Sequence, residues 1–232
     1  MAKKKLTKKQ KQNLELAIIL GITLISILLW NTFLIYPIKL FVILMHEISH
    51  ALVALLTGGH VEYIIINSYL GGTTLTSEGV SILVASAGYL GSLLFGIAIF
   101  ISAYNQKLSL WICTSISILL ILFAANFMKG YITIFSALFF AVLFFVSPRY
   151  LNKMVHSYLM KILGLISSLY VVVDIKDDLI TLSDRLTDAK ILESITNIPA
   201  IVWGFSWLLV SLVSVYFIIK ESYKKGFRKI KK

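Results

Sequence analysis

Residues 38–57, IKLFVILMHEISHALVALLT, form an apolar stretch with ionisable side chains at its centre. A helix of about 20 mostly apolar residues crosses the roughly 30 Å hydrocarbon core of a bilayer. An ionisable side chain at the centre of such a helix costs about 2.5–3.5 kcal/mol, so the cluster at 46–50 (His-Glu-Ile-Ser-His) needs a partner that compensates this cost. The stretch therefore predicts a membrane-spanning helix that carries a site at mid-membrane depth.

The composition of the whole chain agrees with a membrane protein. Of its 232 residues, 58% are hydrophobic and 14% are charged, and the mean hydropathy is +0.88. A soluble domain is about 45–50% apolar and about 25% charged, so too little polar surface remains here to cover a water-soluble globule. The single cysteine, Cys113, excludes an intrachain disulfide.

Most of the positive charge lies in two tails. The formal net charge is +11, and of the 22 Lys and Arg residues six lie between Lys3 and Lys11 and seven between Lys220 and Lys232. This distribution predicts a basic tail at 1–13, a single transmembrane domain at 14–219 and a second basic tail at 220–232. Basic tails of this kind lie beside anionic lipid headgroups on the cytoplasmic side. No basic stripe interleaved with aromatic residues is present, which argues against nucleic acid as a partner.

Seven segments are long and apolar enough to span a bilayer. They are 14–36, 38–57, 80–103, 108–128, 130–147, 155–181 and 198–219. The pattern predicts an all-α, multi-pass integral membrane protein with about six to seven transmembrane helices. Seven crossings would place the two basic tails on opposite sides, so we expect an even number of crossings, with both tails cytoplasmic.

Residues 59–79, GHVEYIIINSYLGGTTLTSEG, differ from the apolar segments on either side. The β-branched and aromatic residues, followed by Gly-Gly and a Thr-rich run, predict a short β-hairpin after the HExxH helix. A strand at membrane depth is allowed only where protein buries it or water reaches it, and the alternative is an ordinary extramembrane hairpin. Gly71, Gly72 and Thr73 are candidates for binding an extended substrate peptide through their backbone groups, and a plain turn is the alternative.

The spacing of the motif at 46–50 is typical of a metal site. Residues four apart share one face of a helix, so the imidazoles of His46 and His50 can hold one Zn²⁺ while Glu47 reaches the water that the ion activates. A catalytic zinc takes a third protein ligand and keeps one position open. The alternative is a polar cluster that joins neighbouring helices or lines an ion path. In the segment 80–103, three glycines (Gly88, Gly91 and Gly96) predict that this segment approaches the metal-bearing helix closely.

The third metal ligand has to come from another segment. Asp174 follows the apolar run ILGLISSLYVVV and lies 13 residues beyond Lys161, about 20 Å along a helix. We therefore expect Asp174 to be the third ligand, with Asp178 as the next choice and a solvated helix end as the alternative. Further on, Thr187 is a plausible N-cap for a short amphipathic helix that has Asp188 in its first turn.

Several ordered motifs resemble one protein family. The run HEISHALVALLTGG, the hairpin segment GGTTLT and the segment AGYLGSLLFG (87–96) are similar to the M50B-like branch of the site-2 protease metallopeptidases. So are DIKDDLI (174–180) and TDAKILESITNIPAIVWGFSW (187–207). The resemblance covers roughly residues 38–207. It departs from the family in one place, because the LDG-type motif is absent and DIKDD stands at the corresponding stage.

The resemblance implies a zinc-dependent intramembrane protease with one zinc ion per chain. It implies that His46 and His50 bind the metal, that Glu47 is the catalytic base, and that the hairpin pairs with an unwinding, membrane-embedded protein substrate. Two other functions stay open. A membrane metal-ion transporter would use the same cluster as a translocation site, and a non-catalytic relative of the protease would bind substrate helices without cleaving them.

Overall fold

Eight α-helices and one β-hairpin make up the part of the chain that the computed structural model describes, residues 6–180 and 187–226 without the side chains of Asp174 and of residues 176–180. The elements in chain order are α1 (Lys8–Leu28), α2 (Tyr36–Leu56), β1 (His60–Ile66), β2 (Gly72–Ser77), α3 (Ser81–Ser102), α4 (Gln106–Asn126), α5 (Tyr131–Tyr150), α6 (Lys153–Ile180), α7 (Asp188–Thr196) and α8 (Ala200–Lys225).

Seven of the described helices, all except α7, are long and apolar enough to cross a membrane, which confirms the predicted multi-pass helical protein. The first helix starts at Lys8, inside the basic segment, because Thr7 and Gln10 form a capping box that satisfies the first backbone N–H groups. The short helix α7 starts where the sequence predicts it. The Thr187 side chain caps it by accepting a hydrogen bond from the backbone N–H of Lys190.

The helices that adjoin the two basic tails meet at the same end of the molecule, where α1 begins and α8 ends. Near the start of α1, the Glu15 carboxylate accepts hydrogen bonds from Ser222 near the end of α8 and from Tyr104 just after α3. The chain therefore enters and leaves at the end where α3 finishes. At the opposite end, the backbone N–H of Val80 donates to the Thr57 side chain, so α2 finishes where α3 begins. Since α3 runs towards the tails, α2 runs away from them, as α1 does.

Helices α1 and α2 thus both run away from the tails. The connection 29–35 consists of consecutive turns, and the Lys39 ammonium near the start of α2 lies 4.7 Å from the centroid of the Trp30 ring just after α1. The remaining long helices α3, α4, α5, α6 and α8 alternate in direction. Seven long helices are therefore compatible with an even number of net crossings and with both tails on one side. Hydropathy gives the number of apolar segments but not the direction of each helix. The sequence therefore could not show that two consecutive helices run in the same direction.

The hairpin folds back along α2. Its turn is held to the start of α2, where the Tyr36 hydroxyl donates to the backbone C=O of Ser68 at 3.1 Å. The outer edge of β1 is covered by the connection between α4 and α5, since the N–H of Ile64 donates to the C=O of Phe127 at 2.8 Å. The hairpin is therefore packed against protein beside the HExxH helix, as backbone at membrane depth requires. The second strand, β2, forms the edge of the two-stranded sheet.

Glycines bring α3 close to α2. The sequence predicts this contact for three glycines, and the structure confirms it for Gly88 and Gly91. A Cβ atom built on Gly91 would overlap the side chain of Ser49, and one built on Gly88 would overlap the motif histidines. Gly96 instead faces α6, where its Cβ would lie 3.0 Å from the backbone oxygen of Gly164. The expectation that all three glycines serve the contact with α2 is therefore wrong for Gly96, because α3 packs against two helices along different faces.

A buried ion pair fixes α1 against the rest of the fold. The Lys161 ammonium on α6 lies 2.7 Å from the Glu15 carboxylate, and Glu15 is completely buried. The Tyr104 hydroxyl donates to the same carboxylate oxygen at 2.6 Å. A buried charge is tolerated only when it is paired and hydrogen-bonded, so this network specifies how α1 docks. Much of the remaining surface of α1 is apolar and exposed, as expected of a helix that faces lipid.

Candidate active site

Both histidines of the motif project from the same face of α2, as their spacing predicts. Their ring centroids are 4.7 Å apart. The Nε2 atom of each ring faces one oxygen of Asp188, the first residue of α7, at 3.1 Å from His46 and 3.3 Å from His50. The three ligand atoms all lie within 4.8 Å of one another, so a single metal ion could contact all three.

The tautomer of His50 is one that suits the binding of a cation. Its Nδ1 atom lies 2.7 Å from the backbone C=O of Val84, and because a carbonyl can only accept, Nδ1 carries the proton. In the neutral ring, Nε2 then presents its lone pair to the Asp188 oxygen Oδ2, which is buried and accepts no hydrogen bond. Two facing acceptors repel each other unless positive charge lies between them. Histidines that bind metals usually donate their other N–H to a carbonyl or carboxylate in this way.

The Asp188 carboxyl is in the charge state that a metal ligand needs. Burial opposes its ionisation, but the neighbouring imidazoles of His50 and His46, in their protonated form, outweigh burial and hold the pKa of this carboxyl below its usual range. A metal ligand must be deprotonated, so the carboxylate form favours binding of a cation. The two imidazoles and the carboxylate therefore fit a divalent transition metal such as zinc.

Gly88 on α3 leaves the space in which the histidines meet Asp188. A Cβ atom at this position would overlap the Nε2 atoms of both His46 and His50. The next residue, Tyr89, packs its ring edge-on against the His46 ring with a centroid distance of 4.9 Å. Helix α3 thus encloses the cluster on one side while its glycine keeps the ligand atoms uncovered.

Glu47 lies beside the hairpin and not in the His-His-Asp group. It is 6% exposed, and its Oε2 atom accepts a hydrogen bond of 2.6 Å from the Thr74 hydroxyl on β2. A Cβ atom at Gly72, on the same strand, would overlap Oε1 of Glu47. One carboxylate oxygen is therefore held by Thr74, and the space beside the other is kept free of side-chain atoms by a glycine.

The candidate peptide-binding residues occupy different positions in the hairpin. The backbone N–H and C=O of Gly71 are already bonded to Asn67 within the turn. The backbone N–H and C=O of Ile64 form hydrogen bonds with the α4–α5 connection and not with β2. Its cross-strand partner Thr74 therefore points its own N–H and C=O away from β1, to the open edge of β2. Gly72 is two residues away and points its backbone the same way, whereas Thr73 points towards β1. Substrate binding by Gly71, Gly72 and Thr73 stays a prediction.

The two aspartates predicted as the third ligand, Asp174 and Asp178, lie on α6, and their side chains fall outside the described residues. Among the side chains that the structure describes, the acidic group within reach of both imidazoles belongs to Asp188. The sequence identified Asp188 only as a first-turn residue of a short helix. The signal that could have singled it out was the T-D-A motif at 187–189, which begins with the N-cap Thr187.

Comparison with known proteins gives a family assignment. No curated protein and no solved structure matches the chain significantly. The family model described as Peptidase M50B-like matches residues 19–218, which include α2, the hairpin, α3 and α7. Because this match covers well over half of the chain, the protein belongs to the M50B-like peptidase family.

Proposed function

We propose that the protein is a zinc-dependent intramembrane endopeptidase in which His46, His50 and Asp188 hold the metal. The observation that supports this proposal is the cluster formed by two imidazoles on the membrane-spanning helix α2 and one carboxylate on α7 of an M50B-like peptidase. Two nitrogens and one carboxylate oxygen are a common ligand set for catalytic zinc, which keeps its fourth position open. Asp188 takes the place for which the sequence suggested Asp174 or Asp178.

Glu47 acts as the general base in this proposal. A bound zinc ion supplies Lewis acidity, which polarises the scissile carbonyl and lowers the pKa of a water molecule at the open position. The Oε1 atom of Glu47, which Thr74 does not engage, takes the proton from the attacking water and passes it to the leaving amine. Thr74 positions the carboxylate and prevents it from turning away during this transfer.

The open edge of β2 presents the substrate. A peptide bond within a helix is shielded by its own hydrogen bonds, so a membrane-embedded substrate segment has to unwind before cleavage. An unwound segment in a bilayer must find new partners for its backbone groups, and the edge of β2 supplies them at Gly72 and Thr74. Both residues lie beside Glu47, so a strand added there brings its backbone next to the base.

The test compares zinc content and cleavage in three variants purified in detergent. Wild-type protein should contain one zinc per chain and cleave at least one of a panel of tagged single-span model substrates in proteoliposomes. Glu47→Gln should keep its zinc and lose cleavage, because the metal ligands remain. His46→Ala should lose both. Cleavage by Glu47→Gln, or cleavage by wild-type protein after its metal has been removed, would contradict the proposal.

A further inference from the structure

A cavity of about 300 Å³ lies next to the His-His-Asp cluster, between α3, α6, α7 and α8. This is the lower end of the ~300–1,000 Å³ range of ligand pockets. Its described lining consists of Tyr89, Ile175, Thr187, Ala189, Lys190, Glu193, Pro199, Ala200, Ile201, Gly204 and Trp207. Most of these residues are apolar or aromatic.

Two contacts connect this cavity to the candidate active site. The Tyr89 ring touches the His46 ring on one side and the Trp207 ring on the other, with centroid distances of 4.9 and 4.8 Å. In addition, Ala189 lines the cavity and directly follows Asp188 in α7. The cavity therefore begins one residue away from a proposed metal ligand and is separated from a second one by a single aromatic ring.

The lining indicates what kind of group the cavity accepts. Ile175 and Trp207 are 1% and 4% exposed, so the apolar part of the lining consists of side chains packed into the protein core. The polar residues Thr187, Lys190 and Glu193 are the N-cap of α7 and two residues of α7 itself, so the polar part of the lining lies along this one short helix. A cavity with this distribution suits a bulky apolar side chain that carries no charge of its own.

We infer that this cavity binds the side chain of the substrate residue next to the scissile bond and selects for bulky apolar residues there. This inference rests on the proposed function, because it places the scissile carbonyl at the metal cluster. Successive residues of an extended peptide are about 3.3 Å apart, so a residue adjoining the scissile bond lies within one step of the cluster. The cavity is lined by the neighbour of Asp188 and by the Tyr89 ring that packs on His46, and its size exceeds what an alanine or serine side chain fills.

The first experiment measures cleavage of model substrates that differ at the residues flanking the scissile bond, from Ala through Leu to Phe. Wild-type protein should cleave Leu or Phe substrates at least tenfold more efficiently than Ala substrates at one of the two flanking positions, a typical gain for filling an apolar pocket. Ala200→Leu, which narrows the cavity, should lower this preference at least tenfold. The matched control Ser206→Leu lies on the exposed face of α8 outside the cavity and should leave the preference unchanged.

Efficient cleavage without a size preference would overturn the inference and leave the proposed function standing. If wild-type protein cleaves none of the substrates, the proposed function fails, and a binding measurement decides about the cavity. For this measurement, Ala200→Cys is combined with Glu47→Gln and Cys113→Ala and incubated under oxidising conditions with substrates that carry one cysteine. Disulfide formation with Ala200→Cys at one or two adjacent positions of the substrate segment, and at no other position, supports the inference. The inference is overturned if Ser206→Cys, introduced instead of Ala200→Cys, cross-links equally well, or if Ala200→Cys forms no cross-link.

Discussion

At the scale of single residues, His50 and Asp188 depend on each other. The hydrogen bond from Nδ1 of His50 to the Val84 carbonyl leaves its Nε2 lone pair directed at a carboxylate oxygen 3.3 Å away. The pair is unfavourable when the ring is neutral and nothing lies between the two atoms, and it is favourable when a proton or a metal ion lies there. A structure that holds two acceptors in contact at a buried position is thus preorganised for a metal ion, and removal of either partner should be visible as loss of that ion.

Replacing Asp188 should remove the metal. Asp188→Ala leaves only two protein ligands, so we expect zinc content measured by elemental analysis to fall to a small fraction of the wild-type value. Asp174→Ala, from the same acid-rich region, should retain zinc and serves as the matched control. The reverse result, with zinc kept in Asp188→Ala and lost in Asp174→Ala, would restore Asp174 as the third ligand.

Thr74 should affect catalysis without affecting metal binding. Thr74→Val removes the hydroxyl that donates to Glu47 at 2.6 Å and keeps the shape of the side chain. A hydrogen bond to a charged group contributes about 1.5–3 kcal/mol, so we expect kcat to fall by about 10- to 100-fold with KM and zinc content close to wild type. Thr74→Ser keeps the hydroxyl and should recover most of the activity. A change confined to KM would indicate that Thr74 contacts substrate instead of positioning Glu47.

The sequence alone predicted the positions of those site residues that lie close together along the chain. His46, Glu47 and His50 lie within one and a half turns of a helix, so helical geometry alone places them. Asp188 is far from them along the chain and is one of six acidic residues between Asp174 and Asn197. Only the packing of α7 against α3 selects one carboxylate from that group, and no periodicity in the sequence records this contact.

At the scale of elements, α2 and α7 both pack against α3, and their metal-binding side chains meet beside it. This is possible only where α3 lacks side chains, and Gly88 is the position at which the two imidazoles require that space. The sequence predicted the close approach of these helices from the glycines, because small residues are what membrane helices use to pack. It could not assign each glycine to a partner, since α3 has neighbours on several faces and Gly96 packs against α6.

Gly88→Ala should therefore impair the metal site more than a glycine substitution elsewhere. The added methyl group overlaps both Nε2 atoms, so we expect a several-fold loss of zinc and a lower melting temperature in detergent. Gly21→Ala in α1 is the control, because a Cβ atom there would meet nothing within 4 Å. It should leave zinc content and stability unchanged. Full zinc occupancy in Gly88→Ala would show that the helices can separate at no cost to the site.

At the scale of the whole molecule, charge is distributed unequally between the two ends. The end from which the tails extend also carries Lys107, Arg149 and Lys153 near its short connections. The opposite end carries the hairpin base, with Glu62 and Glu78, and the acid-rich segment around α7. Basic residues favour the cytoplasmic side of a membrane, so we propose an orientation in which the tails lie on that side. Composition alone revealed the tails, but only the parallel course of α1 and α2 explains how both reach one side.

This orientation makes a prediction about access to the active site. Gly88, at the histidines, lies seven residues from the start of α3, about 10 Å from the end opposite the tails, so in the proposed orientation the site lies nearer to the outer face. In a Cys113→Ala background, single cysteines at the exposed positions Lys9 and Lys224 should react with a membrane-impermeant maleimide only after the cells are permeabilised. A cysteine at Glu78 should react in intact cells. Opposite labelling of Lys9→Cys and Lys224→Cys would contradict the shared location of the tails, whereas labelling of both in intact cells would reverse the orientation and place the site on the cytoplasmic side.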